Sequence, residues 1–125
     1  MKVTRFYTGP DERTHFEDLD IPVDERGRSE FFETTTTMVR ESDGTQHYLE
    51  LHAAPRRQLI FCLAGIVEIE AGDGTKRQFG PGDIYMADDL TGEGHSHREI
   101  EGPLVHAWVG LPDGFDVKTW GSKAG

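Results

Sequence analysis

The chain's sequence predicts an all-β fold, a closed barrel or a jelly roll, on three observations. Its apolar runs are short and rich in Val, Ile, Phe and Thr. Between them, 15 glycines and 6 prolines are scattered as punctuation rather than gathered in a linker. No long stretch carries a capped helical stripe. Eight or more short strands at close spacing need a way to hide their edges, and barrels and double-sheet jelly rolls provide it.

Residues 3–7 read as the first strand, and the acidic stretch 11–28, which contains Ile21-Pro22-Val23, reads as loop or sheet edge. Residues 31–39 suit a strand because four consecutive threonines, Thr34 to Thr37, are β-branched and lose less side-chain freedom there than in a helix. Glu41-Ser42-Asp43-Gly44 reads as a turn. In 46–52 the even positions carry Gln46, Tyr48, Glu50 and His52 and the odd ones His47, Leu49 and Leu51, so a strand here separates two unlike faces. Residues 59–70 read as two strands around a bend at Ala64-Gly65. Gly72-Asp73-Gly74 and Phe79-Gly80-Pro81-Gly82-Asp83 are turns, 84–87 and 104–109 are strands, and 115–120 is a short helical piece. In the last strand Val105, Ala107 and Val109 form the more core-like set, which predicts that His106 and Trp108 turn outward or towards a partner sheet.

The 125 residues suffice for one domain, 1–125, with one core. Asp and Glu number 23 against 13 Lys and Arg, a formal charge of −10 that argues against nucleic acid and anionic membrane as partners. A lone cysteine, Cys62, and the absence of any apolar run of membrane-spanning length predict a cytoplasmic protein.

His52, Ala54, Gln58 and Gly65, with Gly82, Leu90, Gly92, His95 and Glu99 after them, give the stretch from His52 to His97 a resemblance to the cupin family. The family's first motif carries a Gly, two histidines one residue apart, a later Glu and a Gly beyond it; here His52, Ala54, Gln58 and Gly65 fall in that register. The second motif is matched by Gly82, Leu90, Gly92, His95 and Glu99, with one histidine and the glycines kept. Gly80-Pro81-Gly82-Asp83 looks like the turn between the motifs.

The resemblance implies an active site inside the barrel, with His52 and His95 as catalytic residues. Typical cupins bind one divalent metal through three histidines and a carboxylate. The matching positions offer His52, Gln58 and His95, with His97 or His106 as substitutes, for one ion of Fe, Mn, Ni or Zn; a metal-free barrel is the other reading. Tyr48, Glu50, Arg57, Gln58, Cys62 and His97 are the candidate ligand-binding residues. Arg57, next to Arg56, suits a carboxylate-bearing ligand or an ion pair with Asp88 and Asp89 across the rim. The expected function is an enzyme with oxygenase, isomerase, cyclase or lyase chemistry on a small polar or carboxylated molecule. The alternative is a metal-free barrel that binds or senses a small ligand. Family resemblance also predicts a homodimer.

Overall fold

A computed structural model describes residues 1–122 and shows an all-β, cupin-type double sheet; residues 123–125 of the expected domain lie outside the described residues. The strands are β1 (Lys2–Thr8), β2 (Thr14–Asp20), β3 (Thr37–Ser42), β4 (His47–His52), β5 (Gln58–Ala71), β6 (Lys76–Phe79), β7 (Ile84–Asp88) and β8 (His95–Gly110), followed by the short helix α1 (Val117–Ser122). Two long strands organise the fold. The first half of β5 pairs with the last third of β8, and the second half of β5 with the first third of β8, with register shifts between Cys62 and Val67. Each long strand therefore crosses from one sheet to the other at a bulge, where added twist lets a strand turn a corner.

One sheet runs β2-β1-β7-β5-β8-β3, and the other is formed by β6, the far half of β5, the near half of β8, and β4. Among the described residues β1 and β7 run parallel and the other ladders antiparallel. No ladder joins β2 to β3, so hydrogen bonding does not close the sheet into a ring. One core, with Phe6, Ile60, Val67, Ile69, Tyr85 and Leu104, lies between the sheets. The other, with Val3, Leu59, Met86, Val117 and Trp120, lies where α1 covers the outer face. Among the described residues, no helix is long and apolar enough to cross a membrane.

Three expectations are corrected here, and one is made specific. The acidic stretch expected as loop or sheet edge holds the edge strand β2, because its charges find partners across the ladder: Thr4 donates to Asp18 at 3.0 Å and Arg5 to Glu17 at 2.6 Å. The threonine run is outside any strand until Thr37; its phenylalanine, Phe32, instead packs against Phe115 and Trp120. The late strand begins nine residues earlier than expected, at His95. His106 and Trp108 face inward rather than outward: His106 is wholly buried and Trp108 packs on the inner core, while Val105 and Ala107 are only half-buried. Leu104, fully buried, shares the parity of His106 and Trp108 and sets that face.

Candidate active site

Between the sheets lies a cavity of about 310 Å³, at the small end of the usual range for ligand sites. Its walls come from both sheets: Phe6, Ile60, Tyr85 and Trp108 from one, and His52, His95 and His97 from the other.

His52 and His95 meet because β4 and β8 pair with His52 directly opposite His95, after an irregularity that takes four residues of β4 against two of β8. Gly94 makes the approach feasible. Its φ is 78°, and a Cβ there would collide with the His52 carbonyl, so only glycine lets the loop settle on the end of β4. The two imidazole centroids are 4.6 Å apart, with the Tyr48 ring 4.3 Å from His52 and Phe6 4.9 Å from His95.

Each ring is held through one nitrogen. His95 Nδ1 lies 2.5 Å from Asp89 Oδ2, and the Thr14 hydroxyl donates to the same oxygen at 2.9 Å. Asp89 has no solvent exposure. A buried carboxylate on Nδ1 selects the tautomer that donates there and leaves Nε2 as the nitrogen that exchanges a proton. His52 Nδ1 sits 3.1 Å from the Glu50 carbonyl, an acceptor that selects the same tautomer in that ring. Asp89 was not legible as a site residue. Asp88 and Asp89 read as one acidic loop, yet they serve different partners: Asp88 accepts from Arg5 at 2.8 Å and Arg57 at 2.6 Å, and Asp89 holds His95. The available signal was a pair of adjacent acids at a strand end, where neighbours point to opposite sides.

The other expected residues divide. Tyr48, Gln58 and His97 line the cavity. Burial, with help from the nearby Arg40 guanidinium and against the pull of Glu99, pushes His97 down to about 4, so it is neutral at physiological pH. Glu50, Arg57 and Cys62 do not line it. Glu50 is exposed on β4. Arg57 is used at the rim, bonded to Asp88 and to the Phe115 carbonyl; of its two expected readings this is the ion pair with Asp88 rather than a carboxylate-bearing ligand. Cys62 is packed into the inner core, and burial together with Asp83 pushes its thiol up to about 12, which leaves it a small apolar filler rather than a pocket thiol. His106 lies behind the cavity wall with neither ring nitrogen hydrogen-bonded.

The charged side chain that does line the cavity is Arg40, on β3. Its Nη2 donates to Gln46 at 2.6 Å and to Glu99 at 2.7 Å. Glu99 is itself buried. Although burial raises its pKa, hydrogen bonds from the Ser42 hydroxyl, the Gln46 amide and Arg40 hold its carboxyl below the usual range. Glu99, a residue of the second motif's register, seats Arg40.

A divalent metal needs several converging donors, and the donors were tested for this. No group of three His, Cys, Asp or Glu side chains is placed to hold a metal ion among the described residues. Among the described residues no carboxylate lines the cavity, and the motif's glutamate position offers the neutral amide of Gln58. The side chains present do not fit a three-histidine and carboxylate centre.

No protein-family model and no curated protein matches the chain. Among solved structures, it is similar to the DMSP lyase DddQ from Ruegeria pomeroyi DSS-3, with a TM-score of 0.51 and 21% identity over 73% of this chain and 45% of that one. Protein NMB1881 from Neisseria meningitidis aligns with a TM-score of 0.45 and 13% identity over 66% of this chain and 89% of that one. The chain thus spans less than half the length of the lyase structure. At such identity the likeness is one of fold, and with the paired sheets and bent long strands it makes this a cupin-like fold.

Proposed function

We propose that the cavity is the active site of a small-molecule enzyme that moves protons with its own histidines, in lyase or isomerase chemistry. The observation that carries this reading is the His95–Asp89 pair set beside His52 in the cavity wall. With Nδ1 tied to Asp89, neutral His95 takes a proton from a substrate carbon at Nε2, and Asp89 stabilises the imidazolium that forms. The C–H electron pair then follows one of two courses. In a lyase it forms a double bond and expels a leaving group, which takes a proton from protonated His52. In an isomerase a neighbouring carbon is reprotonated by His52 instead. Lyase chemistry is the activity named for DddQ, which shares the fold, and that supports the first course. The single cysteine supports a reducing compartment, the cytoplasm, for this activity.

The second reading, a binding barrel without catalysis, draws on Gln58, a neutral and buried amide in the cavity wall suited to hydrogen-bonding a ligand. Incubating the protein in D2O with pools of small acids, amides, ketones and sugars, followed by proton NMR, separates the two. An enzyme exchanges deuterium into, or eliminates from, at least one compound. His95→Ala lowers that rate by about 10²- to 10⁴-fold. Asp89→Asn, whose amide donates to Nδ1 and shifts the ring to the wrong tautomer, lowers kcat with little change in KM. Ligand-induced shifts without exchange or turnover in any pool would establish the binding barrel instead.

A further inference from the structure

We infer that the cavity is built to receive a small organic carboxylate, with its charged end against Arg40 and Trp108 and its other end at His52 and His95. The inference rests on the proposed reading only in taking the histidine end as the reacting end.

Three observations lead to it. In a chain with a formal charge of −10, no Asp or Glu lines the cavity, and Arg40 is its one formally charged side chain besides the histidines, among the described residues. The acids nearby are turned away from it. Glu99 is fully occupied by Arg40, Ser42 and the Gln46 amide, and Asp89 is held behind His95. An acidic protein has cleared negative charge from one internal space.

The second observation concerns the polarity of what remains. Arg40 makes both of its bonds through Nη2, so Nε and Nη1 have no hydrogen-bond partner among the described residues. Trp108, in the same wall, has a buried indole Nε1 without a partner. On the paired strands Arg40 stands opposite His106 and Met38 opposite Trp108, so Arg40 and Trp108 are diagonal neighbours on one sheet face, about 7–8 Å apart at the backbone. Guanidinium and indole are donors only. A half-buried guanidinium with donors to spare and a buried indole N–H without a partner, on one sheet face, call for an acceptor-rich group, and a carboxylate offers an oxygen to each. Glu99 and Gln46 fix the guanidinium through Nη2, which pre-organises the Nε–H and Nη1–H donors that remain.

Third, the rest of the cavity is organic in character. Phe6, Ile60 and Ile69 form apolar walls between the two ends, unsuited to inorganic phosphate. Glu99, the anchor of Arg40, lies four residues from His95 on β8, about 13 Å of strand, so the two ends are separated and the ligand is elongated.

The test is a titration of the full-length, ¹⁵N-labelled protein with butanoate, butanamide and inorganic phosphate. Butanoate is expected to move the Arg40 Nε–H and Trp108 Nε1–H resonances and to bind at least tenfold more tightly than either of the others. Arg40→Met alone leaves Glu99 buried without its partner and endangers the fold, so the informative variant is R40M/E99Q, which removes both charges. In that variant the preference for butanoate disappears, while His95→Ala keeps it. Equal binding of butanamide or phosphate to the wild type overturns the inference, as does a preference that survives in folded R40M/E99Q. A carboxylate preference without turnover of any compound would sink the enzymatic reading and leave this one standing. Turnover of an uncharged compound without that preference would do the reverse.

Discussion

Histidines that fold into an apolar interior carry a pH dependence with a definite sign. Burial pushes His97 down to about 4, and burial with Arg40 nearby also lowers His106. In the unfolded chain both titrate near their ordinary value, about 6.5. Above that value they are neutral in both states and contribute no pH dependence. As pH falls below 6.5 the unfolded state takes up protons that the folded state refuses, so stability is lost from about pH 6.5 down to about pH 4 for His97. Glu99, whose carboxyl is lowered in the fold, adds a loss of the same sign at still lower pH. Urea unfolding at stepwise pH should therefore show a midpoint falling between pH 6.5 and 4, and His97→Gln should flatten that slope. An unchanged slope in the variant would mean that His97 is solvated and titrates normally. A cationic His97 would also repel Arg40, so the neutral form that burial enforces lets the two side chains share one cavity. At this scale the sequence was half legible. That His52, His95, Gln58, Tyr48 and His97 line the cavity was legible, because motif position and strand alternation are properties of the sequence. Arg40 and Asp89 were not, because what distinguishes them is burial and partnership across 59 and 6 residues of chain. For Arg57 the sequence left a carboxylate ligand and an ion pair with Asp88 both open, since charge is visible in a sequence, and the fold chooses the ion pair.

Elements here are shaped by their corners. The long strand β5 was read as two strands around Ala64-Gly65, and the bend is real, but the chain stays in strand geometry through it and changes sheets. Gly65 sits at the crossing with φ 81°, and a Cβ there would lie 2.7 Å from the Glu101 carbonyl oxygen and 2.8 Å from Leu104 Cα. Gly65→Ala therefore combines left-handed backbone strain, about 1–3 kcal/mol, with a clash against backbone that has no freedom to yield. Gly74 is the control. It has a similar φ of 90° in the turn before β6, and nothing lies within 4 Å of its would-be Cβ, so Gly74→Ala should show the strain alone. Thermal melts of the two variants should place Gly65→Ala well below Gly74→Ala. Equal melting temperatures would mean that the sheet crossing relaxes. The same comparison explains why the β2 stretch read only as loop or sheet edge while the β5 corner was marked. Glycines and alternating apolar residues announce turns and half-buried strands. An edge strand such as β2, whose acids are satisfied by Thr4, Arg5 and Arg77, carries neither signal.

For the whole molecule, the open question is how its outer surface is used. On the outer face of the β5-β8-β3 sheet, Val39 is paired with Ala107, and Ala107 with Phe61. Val39 and Leu63 are 66% and 58% exposed there, which leaves an apolar strip on a chain that is otherwise strongly acidic. Single exposed apolar residues are ordinary, but a continuous row on a flat sheet face suits a second sheet packed against it. The expected outcome in sedimentation velocity is a homodimer, twice the chain mass, held by this face. Two consequences separate it from non-specific association. A like charge on both copies repels and the strip itself is uncharged, so raising salt should strengthen the dimer by screening, whereas an interface made of ion pairs would weaken. Val39→Asp with Leu63→Asp should give a folded monomer, since both side chains already face water and their replacement leaves the inner core untouched. A wild-type protein that sediments as a monomer at high protein concentration and high salt would rule this face out as the site of self-association. The face also lies behind the strands that carry Arg40 and Trp108. A monomeric variant that keeps its cavity chemistry would show that the dimer is independent of the site, and one that loses it would show that pairing stiffens the wall holding those two residues.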